Sequence, residues 1–468
     1  MNKLYYQFPG TWFGDCMPFG KGNTFFLFHQ RDTRQPEPFG QPFGWSLATT
    51  EDFVHYQDCG TAIPRGSDDE QDQFIYAGSV FHGEGQYHAF YTGYNKDYPA
   101  AGKASQVLMH AVSDDLYHWS KSHESLKLSP QEGYDADEWR DPMVIRDEDH
   151  KRYLLILGAR KKGPKTAQTG RTVKFTSDDL EHWKFEGDFW APDLFTMHEM
   201  PDLFKMGDWW YHIVTEYSNK HGMIYRMSRS LDGPWLTPYD DAFDGSAYYA
   251  GRTFALNGHR VLFGWVPTKT DDDDTHNYEW GGTFVPHELY QRSDGSLGAK
   301  PLDSIRDAFN PAQNINETYL RVDGKRVAKT LSSSCGDIFS FETDAEFSDG
   351  TRTFGFRLYA DEETGQSYQF AFHAQQDFLR FEANPNYPWF NYMNIGMERP
   401  LRLESNEPNH IQIIVDDTIM TIYVNGVALN ARVYRHFGDS LEVFVTDGAL
   451  KLSNTRIARG LKKEHDNK

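Results

Sequence analysis

The sequence predicts an all-β protein, a five-bladed β-propeller followed by a C-terminal β-sandwich, and three observations carry the prediction. Aromatic residues make up 15% of the chain, a surplus that suits pleated strands. One short motif returns at intervals close to the length of a propeller blade. The last third of the chain changes to alternation of apolar and polar residues.

The motif is TTEDFVHY at residues 49–56, and it recurs as SDDLYHW at 113–119 and at 177–183 as SDDLEHW, with His55, His118 and His182 spaced 63 and 64 residues apart. A weaker copy, SRSLDGPW, follows at 228–235. Between copies lie aromatic and β-branched runs such as YHAFYT at 87–92, YLLIL at 153–157 and WWYHIV at 209–214, bounded by turn formers such as Gly83-Glu84-Gly85. They read as strands of about five residues. A repeat of about 60 residues with about four such strands is one propeller blade, so residues 1–302 are expected to hold five. Each motif copy is read as a tight turn at the outer part of a blade, its Trp or Tyr packing between sheets and its His serving as scaffold.

Residues 303–334 are expected to be a linker with a helix-like string, SIRDAF, at 304–309. From 335 to 460 a period of two places Phe339, Phe341, Phe354, Phe356, Leu358, Phe370, Phe372, Ile411, Ile413 and Val415 on one side of their strands, with turns at Asp349-Gly350 and Asn425-Gly426. That pattern predicts an antiparallel sandwich. Residues 461–468 are expected to be a frayed tail.

Composition narrows the function. Lys plus Arg number 47 against 68 Asp plus Glu, a net charge of −21 over 468 residues. Such a surface repels phosphate backbones and anionic lipid, so neither nucleic acid nor membrane is expected as a partner. A small neutral oligosaccharide suits it, because aromatic side chains match the apolar faces of sugars. The cysteines Cys16, Cys59 and Cys335 show no CxxC spacing, so no disulfide framework, metal or cofactor is expected. No apolar leader follows Lys3 and no 18 apolar residues run together, which points to a cytoplasmic, soluble protein.

A propeller binds its ligand in the funnel on its central axis, where residues of different blades converge. Three carboxylates stand in the right contexts: Asp15 in an aromatic segment, Asp141 beside Arg140, and Glu199 before Met200-Pro201-Asp202. Separations of 126 and 58 residues are roughly two blades and one. A carboxylic acid paired with a second carboxylate is the chemistry of glycosidic cleavage. Residue types alone favour salt bridges and solvated turns, since 68 acidic residues allow many triples.

The motifs are more specific. Trp12-Phe13-Gly14-Asp15-Cys16-Met17, Arg140-Asp141-Pro142 and Glu199-Met200-Pro201-Asp202-Leu203-Phe204 resemble the W-M-N-D-P-N, R-D-P and E-C-P-D-L-F segments of glycoside hydrolase family 32, the invertase, levanase and inulinase group. Weaker matches are Leu27-Phe28-His29-Gln30, Gly44-Trp45, Ala77-Gly78-Ser79, Tyr248-Tyr249-Ala250 and the stretch from Glu279-Trp280-Gly281-Gly282 to Pro286-His287-Glu288-Leu289. The resemblance implies a retaining exo-glycosidase acting on β-fructofuranosides such as sucrose or levan and inulin fragments. It implies Asp15 as nucleophile, kept ionised; Glu199 as general acid/base, kept protonated; and Asp141 as transition-state stabiliser. Arg140, Gln30, Trp45, Ser79, Trp280, Trp12 and Tyr249 would line the sugar pocket.

Three departures bear on specificity: Gly14 and Met17 replace two family asparagines, and Cys16 replaces a proline. Alternatives are an inverting arabinofuranosidase or xylosidase of the family 43 type, a fructosyltransferase, and a non-catalytic sugar-binding paralogue. Cys16 is read as a buried small hydrophobe, His198 as a packing neighbour of Glu199, and Asp271-Asp272-Asp273-Asp274 as a solvated loop at the funnel rim that disfavours anionic substrates. The sandwich is expected to buttress the propeller or to form a homodimer contact.

Overall fold

Five strands stand side by side in a closed ring, and each is the innermost strand of one antiparallel blade. In the computed structural model, which describes residues 2–37, 40–122, 128–218, 222–386 and 396–463, the first blade is β1 (Trp12–Lys21), β2 (Thr24–Asp32), β3 (Trp45–Thr50) and β4 (Gln57–Ile63). The second is β5 (Phe74–Gly83), β6 (Gln86–Tyr94), β7 (Gln106–Ser113) and β8 (Ser120–Lys121). The third is β9 (Tyr134–Asp147), β10 (Arg152–Lys161), β11 (Gly170–Ser177) and β12 (Lys184–Trp190). The fourth is β13 (Glu199–Met206), β14 (Trp209–Glu216) and β15 (Gly222–Ser228), and the fifth is β16 (Tyr249–Leu256), β17 (His259–Lys269), β18 (Tyr278–Gln291) and β19 (Leu297–Lys300). The ring runs β1, β5, β9, β13, β16 and back to β1. Pairing of Phe13 with Gly282 joins the fifth blade to the first.

The repeated motif builds the outer turns of the first three blades. The hydroxyls of Thr50, Ser113 and Ser177 accept the amides of Phe53, Leu116 and Leu180 at 2.8, 2.9 and 3.0 Å. Asp52, Asp115 and Asp179 each bind the amide and ring nitrogen of the His three residues on. Phe53, Leu116 and Leu180 accordingly sit at positive φ, a strained choice for such residues that these bonds hold in place. The following aromatics bridge blades: Trp119 meets Phe28 and Trp183 meets Phe90, each edge-on at 5.6 Å. The motif is scaffold, as its composition suggests.

The stretch expected to be a linker is largely strand. After a one-turn helix, α1 (Asp303–Asp307), come β20 (Gln313–Asn314) and the long β21 (Thr318–Ser332), both paired with β30 (Ser440–Arg459). The second sheet therefore starts well before residue 335. β21 escapes the period-2 reading because much of it faces solvent on both sides. The remaining strands are β22 (Ile338–Phe347), β23 (Thr353–Ala360), β24 (Ser367–His373), β25 (Phe378–Asn384), β26 (Glu398–Pro400), β27 (Asn409–Asp416), β28 (Ile419–Val424) and β29 (Val427–Arg432). They run in the order β26-β25-β24-β23-β30-β22-β27-β28-β29 around an apolar core. At the tail, Leu461 bridges to Phe309, and residues 464–468 lie outside the described ones.

The two domains share buried surface and polar clamps. Ile414, Ile419, Tyr423 and Ala428 of the sandwich join the propeller's core cluster, and Arg432 donates to the carbonyls of Pro267 and Val266 at 2.7 and 2.9 Å. The chain's N-terminus is tied to the sandwich by Asp416, whose buried carboxylate accepts the amides of Lys3, Leu4 and Tyr5 at 2.9–3.1 Å. Asp416→Ala leaves these donors without their acceptor and is expected to destabilise the fold by about 3 kcal/mol, read as a lower midpoint in urea denaturation. An unchanged midpoint would show that water replaces the carboxylate freely.

The acidic run at 271–274 is not uniformly solvated. Asp271, Asp272 and Asp273 are exposed, whereas Asp274 is buried against the sandwich. Its carboxylate finds acceptor work there that the local sequence does not reveal.

Candidate active site

All five innermost strands bulge at the same level. Gly14-Asp15, Tyr76-Ala77, Asp141-Pro142, Met200-Pro201 and Ala250-Gly251 are each two residues facing one on the neighbouring strand. A bulge interrupts the ladder and re-aims side chains, so these turns deliver Asp15, Tyr76, Asp141, Glu199, Met200, Tyr249 and Ala250 to one cavity of about 380 Å³. Asp141, Met200 and Ala250 take positive φ to do so. Pro142 and Pro201 suit the second bulge position, which has no ladder partner to receive an amide.

Arg140 organises the acids. Its guanidinium binds Glu199 at 2.7 Å, pairs with Glu138, and lies 3.8 Å from Asp141. Those carboxylates hold it well above the ordinary guanidinium range despite its burial, so it stays charged. The Tyr249 hydroxyl donates to the other oxygen of Glu199. Asp141 is buried, its carboxylate accepts the Met200 amide at 2.9 Å, and burial raises its pKa against the pull of Arg140. From below, Arg252 reaches in from the fifth blade and donates to the carbonyl of Asp141 at 2.7 Å and to that of Pro142 at 3.2 Å.

Asp15 accepts the Trp265 indole N–H at 3.3 Å. Burial, with Asp141 and Glu199 nearby, pushes its carboxyl well above the ordinary 3.8, while Trp265 and Arg252 pull the other way. This direction departs from the expectation of a freely ionised aspartate. Burial is the larger cause, and the Asp141 and Glu199 carboxyls brought in from two other blades add to it, an arrangement that no local stretch of sequence displays. Cys16 beside it is fully buried and its thiol is pushed up, so it acts as a small core residue. His198 is buried, linked through Thr172 to His212, and held neutral by burial.

Of the residues expected to contact sugar, Gln30, Arg140, Tyr249 and Trp280 line the cavity with the three acids. Trp45 does not: it sits on the third strand of its blade, has no exposed surface, and donates its indole N–H to Tyr76 O at 3.0 Å. Ser79 lies past the bulge, on a separate cavity at the lower end of the axis, where its hydroxyl accepts the Val144 amide at 3.3 Å. Trp12 is covered by the Arg34 guanidinium at 4.1 Å. Asp32, Phe43, Tyr76, Gln106, Asp137 and Glu138 also line the cavity. Glu138 and Tyr76 were within reach of sequence reasoning, one three residues before Asp141 and the other immediately before the Ala77-Gly78-Ser79 segment.

Gly14 has a direct structural reason. A Cβ there would lie 2.3 Å from Cη2 of Trp280, so the missing side chain is what lets this indole rest on the backbone next to Asp15. Trp280 in turn packs edge-on to Trp265 at 5.6 Å.

Comparison with known proteins agrees with this architecture. Residues 12–301 match the family model for the glycosyl hydrolases family 32 N-terminal domain, and residues 311–459 match that for the family 32 C-terminal domain. The chain is 23% identical over 470 residues to the sucrose-6-phosphate hydrolase of Escherichia coli, covering 92% of this chain and 90% of that one. It is 24% identical over 448 residues to the levanbiose-producing levanase of Bacillus subtilis, covering 86% and 79%. Among solved structures, fructan 1-exohydrolase IIa of Cichorium intybus superposes with a TM-score of 0.79 at 17% identity over 99% of this chain and 98% of that one. The sucrose-6-phosphate hydrolase of Lactobacillus gasseri does so with a TM-score of 0.74 at 21% identity, over 99% and 93%. With both domains matched in order and an acid-lined funnel in the first, the inverting family 43 alternative and the non-catalytic one fall away: the chain belongs to glycosyl hydrolase family 32 and is a glycoside hydrolase.

Proposed function

We propose that this enzyme releases fructose from unphosphorylated β-fructofuranosides, sucrose and short fructans, with retention of configuration. The observation that carries the reading is that Asp15, Asp141 and Glu199, from three blades, open on one cavity with Arg140 among them. Asp15 attacks the anomeric carbon as the bond to the leaving oxygen breaks, and Glu199 gives that oxygen its proton. Water then attacks the fructosyl ester, Glu199 takes its proton, and the Asp15 carboxylate is restored. Asp141 holds sugar hydroxyls, and its charge balances the oxocarbenium-like transition state. Arg140 keeps Asp141 and Glu199 in register.

The absence of a phosphate on the substrate follows from the lining. Asp15, Asp32, Asp137, Glu138, Asp141 and Glu199 face the cavity with Arg140 the one cation among the lining residues. A phosphate dianion entering there meets like charge at short range, so the phosphorylated substrate in the names of two relatives is disfavoured here.

Proton NMR with sucrose, sucrose 6-phosphate, levanbiose and inulin oligosaccharides tests the reading. The expected result is fructose appearing first as the β-furanose, with sucrose cleaved at least about tenfold faster than its 6-phosphate at subsaturating concentration. Preference for the phosphate ester would overturn the charge argument, a first-formed α anomer would overturn retention, and fructosyl-sugar products in place of free fructose would identify a transferase.

A further inference from the structure

We propose that the sandwich domain takes part in substrate recognition: through Asp274 it holds the β17–β18 loop, and Asp274 is a positioning residue for Trp280 at the cavity. The inference rests on the functional reading above.

Trp280 lies in an excursion of β18. Pro267 faces Gly282 and Lys269 faces Tyr278, so Glu279, Trp280 and Gly281 together face Thr268. A segment outside the ladder register is placed by its flanks. On one side, Gly282 is fixed by pairing with Phe13 and Pro267. On the other, the chain enters the loop at 270–277, whose Asp271 and Asp272 both adopt left-handed backbone.

That second flank is gripped by the sandwich. The Asp274 carboxylate accepts the amides of Tyr434 and Arg435 at 2.9 and 3.0 Å and the hydroxyl of Tyr368. At the loop's start, the Lys269 amide donates to the Tyr434 hydroxyl at 2.9 Å, and the Lys269 ammonium donates to Asp274 O at 2.8 Å. The start and the middle of the loop are thereby tied to one short segment after β29. A buried carboxylate satisfied by amides of another domain is a stiff joint, because breaking it leaves charge and donors unpaired.

The joint leads directly to the cavity. Three residues after the loop, the indole of Trp280 rests on Gly14 and against Trp265, the donor to Asp15. Arg34 of the first blade holds the same excursion from the far side, pairing with Glu279 and donating to Trp280 O at 3.3 Å. Loosening Asp274 should let Trp280 lift from its seat, which weakens the sugar platform while leaving the acids of the other blades in place.

The test compares kcat and KM for sucrose in the full-length wild type, Asp274→Asn, Tyr368→Phe, Trp280→Ala and the Asp274→Asn/Trp280→Ala pair. Expected are a KM raised about five- to tenfold in Asp274→Asn and about twofold in Tyr368→Phe, with kcat within about twofold. In the double variant the KM should match that of Trp280→Ala, since the two act through one contact. Lower thermal stability with wild-type KM, or effects that multiply in the double variant, would overturn the inference. Should Asp274→Asn fail to fold, Tyr368→Phe carries the same comparison. A second readout needs no turnover: in 5-fluorotryptophan-labelled protein, the resonance lost in Trp280→Phe should shift or broaden in Asp274→Asn and Tyr368→Phe. If that resonance stays put the inference fails, whereas a wild type inert on every fructoside defeats the functional reading alone.

Discussion

Replacing Asp15 by Asn is expected to lower kcat for sucrose by about 10⁴-fold or more while the propeller stays folded. The amide keeps the shape and the Trp265 hydrogen bond but cannot form the fructosyl ester. The same substitution should raise the melting temperature at neutral pH. Burial and the neighbouring Asp141 and Glu199 put the folded-state pKa of Asp15 above its ordinary 3.8. A group raised in this way favours the folded state below its unfolded pKa, and that contribution is lost as pH climbs through the folded value. At pH 7 the wild type therefore carries a penalty that Asp15→Asn removes, and the gain should fade as pH falls towards about 4. Calorimetry across this range checks it; a melting temperature lowered at pH 7 would show the carboxylate to be satisfied where it sits. The acid limb of the wild-type kcat/KM profile should likewise fall above the usual aspartate range, because protonated Asp15 cannot attack.

Glu199→Gln is expected to cost about 10³-fold on sucrose, the usual range for a lost general acid being about 10²–10⁴. Arg140 and Tyr249 donate to different oxygens of Glu199. Glutamine keeps its one oxygen for Arg140 and turns its N–H to the Tyr249 hydroxyl, which can accept as well as donate, so binding should change little. The loss should shrink on an aryl fructofuranoside, whose leaving group departs without a proton. Its second step still lacks a base, so the fructosyl ester on Asp15 should accumulate and be visible by mass spectrometry of the intact protein. Equal losses on both substrates, with no trapped ester, would assign the acid role to another group.

Much of this architecture was readable from the chain because it rests on local rules. The motif at 49–56, 113–119 and 177–183 closes its turns with bonds spanning two or three residues, so each copy displays the whole device and the repeat reveals the blades. The period-2 runs of β22 to β24 and β27 expose the sandwich for the same reason: a strand with one apolar face writes that face into alternate positions. Strand β21 does not, since most of its side chains face solvent, and the expected linker was too long by that strand. Asp15, Asp141 and Glu199 could be singled out by motif, but Trp45 and Ser79, chosen in the same way, point elsewhere. Trp45 belongs to an outer strand and Ser79 lies below the bulge, and neither depth nor level along the axis is a property of a short segment.

By itself, then, the sequence determined the β class, the five blades, the sandwich and the three acids, all of which follow from periodicity, turn chemistry and motifs confined to short stretches. Only the tertiary structure decided which aromatics meet the ligand, why Gly14 is glycine, how burial and neighbouring acids raise the pKa of Asp15, and that Asp274 serves the sandwich and not the solvent. Those depend on groups brought together across more than a hundred residues, such as Gly14 with Trp280 and Asp274 with Tyr434, where closure of the ring and docking of the second domain set the distances. Coulomb energy, steric contact and desolvation act on distances in space, and a linear pattern does not encode them.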